Sequence, residues 1–425
     1  MSLISLIVAL LAIALLLRID FIYYIAYVCI GIYLISRWYT PRALHALRLS
    51  RTFNSHAFLG ETVEVELHAE NRSRLPLPWL EYSESIPPEL RIGGPELRAI
   101  GLHGRQKRDF SYRVQAGRRG YYRLGPLRLS TGDLFGLVKS TTGYLPPDYL
   151  TVYPRIISLT TLGLPSRLPF GTIAGNQRLF EDPARPSGVR AYRSGDSQRQ
   201  INWKASAHLD ELLVRRLQPA ISLETAILLN LHSGDYGRRD LAYHTEWAIS
   251  VAASLAAHLA NQRQPVGLIT NGVDPLAGIG GEDEPVFDEE NGRLQRRMGA
   301  GTGGQMPPPL LPRGGRAHLM KVLEQLARVE SEATRPLAEW AAAACLPLSW
   351  GVTVIAITAH GSVEICQAMH QLRRGGFNPI LLVVEPDLQF RETQERARQL
   401  GFRAFHVLES DGLLLWRQPR GQGAL

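Results

Sequence analysis

Ser206, His208 and Asp210 fall within five residues of one another. A hydroxyl, an imidazole and a carboxylate are the parts of a hydrolytic relay. Their two-residue spacing in a helical stretch turns the side chains apart, and no oxyanion loop precedes them. His56 and His103 lie in a strand-rich region without metal-ligand spacing. Gly299-Ala-Gly-Thr-Gly-Gly looks like a phosphate loop, but no Lys-Ser/Thr follows and no strand directly precedes it. The chain thus offers no nucleophile–base pair, metal set or phosphate cradle. We expect a non-enzymatic protein without a cofactor. An uncharacterised hydrolase is the competing reading, which Ser206→Ala or His208→Ala would test.

The densest constellation runs from Asp196 to Ala207 and contains Arg199, Asn202, Trp203, Lys204 and Ser206. Beside Gly195 it reads as a turn entering a short helix. Asp196 is placed to cap that helix, because its carboxylate can accept the first orphan N–H groups. Ile201, Ala205 and His208 then share one face. These six residues (Asp196, Arg199, Asn202, Trp203, Lys204 and Ser206) are the candidate partner-binding segment, since Trp and Arg are typical interface anchors. A packing role for Trp203, with Asn202 and Asp196 fixing the turn, is compatible with docking. Packing takes precedence because buried aromatics dominate core energetics.

The elements that must position this segment begin with two apolar runs. Leu3–Leu17 is apolar but for Ser5, and Phe21–Ile35 is nearly so, with Arg18 and Asp20 between them. Each run is 15 residues, just under the length of a spanning helix. A single long helix would put Arg18 and Asp20 in mid-bilayer. Two short spans with a tight turn fit better, extended by Ser2, Arg18, Ser36 and Arg37 at the interface. A signal peptide fits less well, because no Lys or Arg precedes the first run and no small-x-small site follows. Arg37, Arg42, Arg48 and Arg51 follow the second run, so the positive-inside rule places residues 38–425 in the cytoplasm. Three cysteines without a CxxC pair agree with a reducing compartment. We expect a multi-pass protein of the inner (cytoplasmic) membrane.

Net charge is +8 over 425 residues. The arginines are scattered and several flank the apolar runs, so a membrane surface explains them better than nucleic acid. Between Leu47 and Val152 the pattern is all-β: Thr62–Ala69, Asp109–Val114 and Tyr121–Leu129 alternate with period two. That spacing implies a β-sandwich. From Glu224 strands alternate with helices, which implies a mostly parallel sheet covered on both faces. The interruption at 278–315 carries acidic residues, then arginines, then Gly and Pro, and reads as a mobile loop. The expected fold class is multi-domain. A transmembrane hairpin spans 1–37, a β-sandwich 38–155, a connecting segment 156–223, and an α/β domain 224–425 with the insert 278–315.

Four features together carry a resemblance: the hairpin, Arg118-Arg-Gly-Tyr-Tyr-Arg-Leu-Gly-Pro, Asp133-Leu-Phe-Gly-Leu, and Gly195-Asp…Ile201-Asn-Trp-Lys-Ala-Ser-Ala. With them the chain resembles, nearly end to end, a bacterial and archaeal membrane-protein family known as domain of unknown function fifty-eight. The resemblance implies that the α/β part is von Willebrand factor A-like (Rossmann-like). It implies association with a MoxR-type AAA+ ATPase, and with other A-type membrane proteins, as adaptor or assembly partner.

A-type domains usually hold Mg²⁺ at an Asp-x-Ser-x-Ser sequence after the first strand. The matching positions here are Asn230, His232 and Gly234, and a later acidic position reads Thr358-Ala-His360-Gly361. Without those carboxylates a hard cation would hold poorly. We therefore expect no metal, and a polar crevice lined by Asn230, His232, Ser233, Thr270 and His360. A metal-dependent, adhesion-type binding module is the alternative, which Mg²⁺-dependent thermal stability would reveal.

Overall fold

The computed structural model describes residues 3–17, 20–74, 76–90, 98–132, 139–162, 164, 181–193, 198, 201–219, 224–277, 286–287, 294–295 and 305–408. The chain divides into two units. One is Met1–Pro154 with Gly278–Ala300, and the other is Arg155–Ala277 with Gly301–Leu425.

The first unit opens with α1 (Leu3–Leu17) and α2 (Asp20–His45), which pack on one another. The second helix is longer than the second apolar run suggests, because Ser36–His45 continue it past Ile35 and include Pro41. Among the described residues one stretch, Asp20–Arg42, is long and apolar enough to cross a membrane, and only 11% of its most apolar window is buried. Phe21, Tyr24, Tyr27, Val28, Leu34 and Ile35 are exposed along it. Low burial sets this helix apart from the core helix of a soluble domain.

Ten strands follow: β1 (Leu47–Thr52), β2 (His56–Phe58), β3 (Thr62–Asn71), β4 (Leu77–Glu84), β5 (Arg98–Leu102), β6 (Lys107–Gln115), β7 (Gly120–Leu124), β8 (Leu127–Gly132), β9 (Lys139–Leu145) and β10 (Asp148–Tyr153). Among the described residues they form three sheets, β1-β3-β6, β2-β10-β7 and β5-β4-β8-β9, where a simple sandwich would have two. Period-two alternation is plain in β3, whose Val63, Val65, Leu67 and Ala69 are buried. They join Leu80, Val114, Tyr122, Leu127, Leu150 and Val152 in one apolar core.

The run expected as one strand over Tyr121–Leu129 is broken into β7 and β8, which lie in different sheets. Gly125 takes φ +93°, open to glycine, and Pro126 has no N–H to continue a ladder. Aromatics of the Arg118–Pro126 motif serve packing, as expected. Tyr122 is fully buried and its hydroxyl donates to the carbonyl of Arg118 at 2.9 Å.

In the second unit, β11 (Glu181–Ala191) and β12 (Leu213–Pro219) pair antiparallel, with α3 (Trp203–Leu209) between them in sequence. Then come β13 (Thr225–Leu229), α4 (Leu241–Asn261) and β14 (Val266–Thr270). The first-unit segment follows, with β15 (Val286–Phe287) and β16 (Leu294–Gln295). The second unit resumes with β17 (Leu310–Arg313), α5 (Arg316–Arg328), α6 (Leu337–Ala344), β18 (Thr353–Thr358), α7 (Val363–Arg374), β19 (Asn378–Val383), α8 (Phe390–Leu400) and β20 (Arg403–His406).

The six-stranded sheet has order β17-β14-β13-β18-β19-β20, parallel except for β17 at its edge. Its central strands are buried along their whole length, the signature of a sheet covered on both faces. Ala226, Leu228, Val354 and Ala356 pack with Leu337, Trp340 and Met369 from α6 and α7.

Two parts of 278–315 depart from a mobile loop. Leu310–Arg313 is the edge strand β17. Phe287 is 7% exposed and stacks on Tyr149 and Tyr121, with centroids 5.5 and 6.1 Å away, under the Arg123 guanidinium. A single aromatic in a polar, Gly-rich stretch supplies enough apolar area to anchor it. The remaining acidic and glycine-rich residues of 278–304 lie outside the described residues.

Candidate functional site

The signature helix is built by its flanks. Asn202 is its N-cap, with Oδ1 accepting from the Ala205 N–H at 3.3 Å. Asn202 takes the role expected of Asp196, because the helix begins only at Trp203. Ile201 therefore lies before the helix, in a bridge to Val214, and does not share a helical face with Ala205 and His208. Asp196 and Arg199 lie outside the described residues, as does the Asp133–Leu137 motif.

Ser206 is buried, and its hydroxyl accepts from the Leu213 N–H at 2.9 Å. The Asn202 N–H donates to the Leu213 carbonyl at 2.8 Å. These bonds tie one side of the helix to β12. Asp210 ends it in the left-handed region at φ +53°. Among the described residues no hydrogen bond joins Ser206, His208 and Asp210.

Trp203 does not pack between sheet and helix. It is 67% exposed, next to exposed Lys204. It occupies the first helical turn. Leu209, Leu212 and Val189 are also exposed on this hairpin and helix. The surface holds Arg193, Lys204 and Arg215 against Asp210 and Glu211.

A second polar site lies at the carboxyl ends of β13, β14 and β18, where open α/β sheets place ligands. Asn230, Asn271 and Thr358 are each fully buried there. The Asn230 Nδ2 donates to Asp235 Oδ2 at 2.8 Å and to Thr358 Oγ1 at 3.0 Å. Its Oδ1 accepts from Asn271 Nδ2 at 2.7 Å and from the His232 N–H at 3.2 Å. Asn271 Oδ1 accepts from the Leu231 N–H at 2.6 Å. The Tyr236 hydroxyl donates to the Asn230 carbonyl at 2.6 Å. Burial, with Glu385 and Asp235 adding, pushes that phenol up, so it stays a neutral donor.

Glu385 is buried, accepts from the Gly237 N–H at 3.0 Å and pairs with His360 at 2.8 Å. Thr270 is buried, and its hydroxyl accepts from the Gly272 N–H. His232 Nδ1, Ser331 Oγ and Thr334 Oγ1 are buried without a partner among the described residues.

Sequence reasoning found Asn230, His232, Thr270 and His360 but missed Asp235, Tyr236, Asn271 and Glu385. Asn230, Asn271, Thr358 and Glu385 are each the last residue of a parallel strand or within two of it. A polar residue closing successive apolar strands was the available signal.

Beside this network a cleft of about 420 Å³ is lined by His360, Ser362, Glu364, Asp387, Glu392 and Arg396. Its own backbone N–H and the Ser362 hydroxyl hold Glu364 below the usual carboxylate range, with Arg396 adding.

Residues 188–277 match the model of a family described as "Protein of unknown function DUF58". That segment spans the signature helix and the strands that carry Asn230 and Asn271. The chain is 23% identical to the "Uncharacterized protein YeaD" of Bacillus subtilis (strain 168) over 239 residues, 55% of this chain. It covers 57% of that relative, less than two thirds of its length. Among solved structures, the chain is similar to the SpRpn10 VWA domain at 12% identity and a TM-score of 0.26, over 47% of this chain and 97% of that one. It is also similar to the CARDB domain of PF1109 from Pyrococcus furiosus at 13% identity and a TM-score of 0.20, over 25% of this chain and 91% of that one.

Proposed function

We propose that the protein is a membrane-anchored, cytoplasm-facing, non-enzymatic adaptor that docks a MoxR-type AAA+ ATPase through its signature helix. It serves protein-complex assembly or envelope-linked regulation, with other A-type membrane proteins as further partners. The observation that carries the docking reading is the exposure of Trp203 at 67% on a helix tied to β12 through Ser206 and Asn202. An exposed tryptophan on a rigid, hydrogen-bonded support loses little conformational freedom on binding, which suits an interface anchor. The commitment of the Ser206 hydroxyl to the Leu213 backbone supports a non-enzymatic role.

The membrane topology proposed is a hairpin of α1 and α2, with both ends in the cytoplasm. Arg37 and Arg42 near the end of the second helix, and Arg48 after it, support that orientation. Exposed apolar residues on both helices support lipid contact.

The test is cross-linked affinity purification of the tagged full-length protein from native membranes, read by mass spectrometry. An AAA+ ATPase should be among the main partners. Trp203→Ala should weaken its capture, since truncating an anchoring Trp costs about 2 kcal/mol or more, roughly thirtyfold in affinity. An ATPase recovered equally by the variant, or not recovered at all, would sink the docking reading.

A further inference from the structure

The resemblance of the second unit to A-type domains implies a Mg²⁺ centre at the ends of β13 and β18. The side chains there do not fit one. Mg²⁺ demands oxygen ligands in near-ideal octahedral geometry and is usually held by one or two carboxylates. At the central position Asn230 supplies a neutral carboxamide, and its NH₂ group points at Asp235 Oδ2 and Thr358 Oγ1. Those two oxygens are the acceptors that a cation would need. The Asp235 carboxylate also accepts from the Leu337 N–H at 3.4 Å, and Glu385 is turned onto Gly237 and His360. The buried atoms of His232, Ser331 and Thr334 bring no carboxylate oxygen.

We propose that the Asn230 carboxamide takes the place of the cation. A bound Mg²⁺ would draw the strand ends together through shared oxygen ligands. Here two N–H donors and one carbonyl oxygen on a single side chain do that work. Asn230 closes β13, Asn271 follows β14, Thr358 ends β18 and Asp235 reaches the start of α6. All four elements are fastened through one amide whose donors and acceptor are used. The sheet end is therefore preorganised without metal, and a partner docking on it does so without a metal bridge. This inference concerns a different surface from the Trp203 face and stands whether or not that face binds an ATPase.

The chemistry predicts what an aspartate would do. Asn230→Asp removes both donors and sets a carboxylate against Asp235, where the two groups now meet at 2.8 Å. Two carboxylates that close repel, which raises one pKa or recruits a cation between them. Asn230→Ala removes both donors and the acceptor oxygen but adds no charge, and serves as control.

Thermal unfolding of the full-length protein in detergent, with EDTA, Mg²⁺ or Mn²⁺, reads the outcome. The unchanged protein should unfold at the same temperature in all three. Both variants should unfold several degrees lower, and Mg²⁺ or Mn²⁺ should raise only Asn230→Asp, reversibly with EDTA. Saturable stabilisation of the unchanged protein by Mg²⁺, reversed by EDTA, would overturn the proposal. So would an Asn230→Asp variant that loses nothing, or one that gains no more from cations than Asn230→Ala. If Asn230→Asp does not fold, Mn²⁺ binding followed by water-proton relaxation decides. A tight site in the unchanged protein that Asn230→Ala abolishes refutes the proposal, and no such site supports it.

Discussion

Arg51, Glu84, Tyr112 and Asp148 show how much one buried group depends on its neighbours. The side chains of Arg51 and Glu84 are 1% and 3% exposed, and they form a salt bridge. The Tyr112 hydroxyl donates to the same carboxylate at 2.5 Å, and Arg51 Nε donates to Asp148 at 2.8 Å. Burial still holds the Glu84 carboxyl above its usual range, against the pull of Tyr112 and Arg51. A carboxyl whose folded pKa is raised contributes stability below its unfolded value, and loses it as pH rises through the folded value. Glu84→Gln should therefore flatten the stability of the first unit on the alkaline side of about pH 4.5, the ordinary glutamate value. Urea unfolding at a series of pH values checks this. A variant with the same pH slope as the parent would show that the fold does not raise the Glu84 carboxyl.

At the scale of elements, the strands and helices hold one another by a few side chains whose partners are distant in sequence. Phe287, 7% exposed, is the clearest case, because it seats β15 on the Tyr121 and Tyr149 rings of β7 and β10. Phe287→Ala removes a buried ring, and such truncations cost about 3 kcal/mol or more in a well-packed site. The loss should fall on the first unit. Hydrogen exchange should then rise in β7 and β10, while the six-stranded sheet keeps its protection. Unchanged exchange in β7 and β10 would mean that the aromatic stack adds nothing to their stability.

For the whole molecule, the governing choice is which side of the membrane the soluble part faces. Arg37, Arg42 and Arg48 lie within the stretch after the second apolar run that biases orientation. In the inner membrane of a Gram-negative host, a fluorescent reporter fused after residue 425 should glow, and a periplasm-dependent phosphatase there should stay inactive. Replacing the three arginines with glutamate should move a measurable fraction of the chains to the opposite orientation. An active phosphatase on the unmodified chain would reverse the proposed topology.

Much of this architecture is written in local pattern. Period-two alternation in Thr62–Asn71 set a half-buried strand, because one face must meet a core. The apolar runs from Thr225 to Val383, spaced by amphipathic helices, set a parallel sheet, because only coverage on both faces tolerates such strands. The length and hydropathy of Asp20–Arg42 set a helix fit for a bilayer. What depended on distant partners could not be read that way. Whether Trp203 was buried depended on what the rest of the fold brings against α3, and its indole is left 67% exposed. The fate of Phe287 was decided by two tyrosines more than a hundred residues earlier. Asn230 was legible as a missing carboxylate, but its role was set only when β14 and β18 brought Asn271 and Thr358 beside it. Local sequence fixes which face of an element must be covered, and the tertiary fold decides by what, since hydrogen bonds and ring contacts act over only a few ångströms.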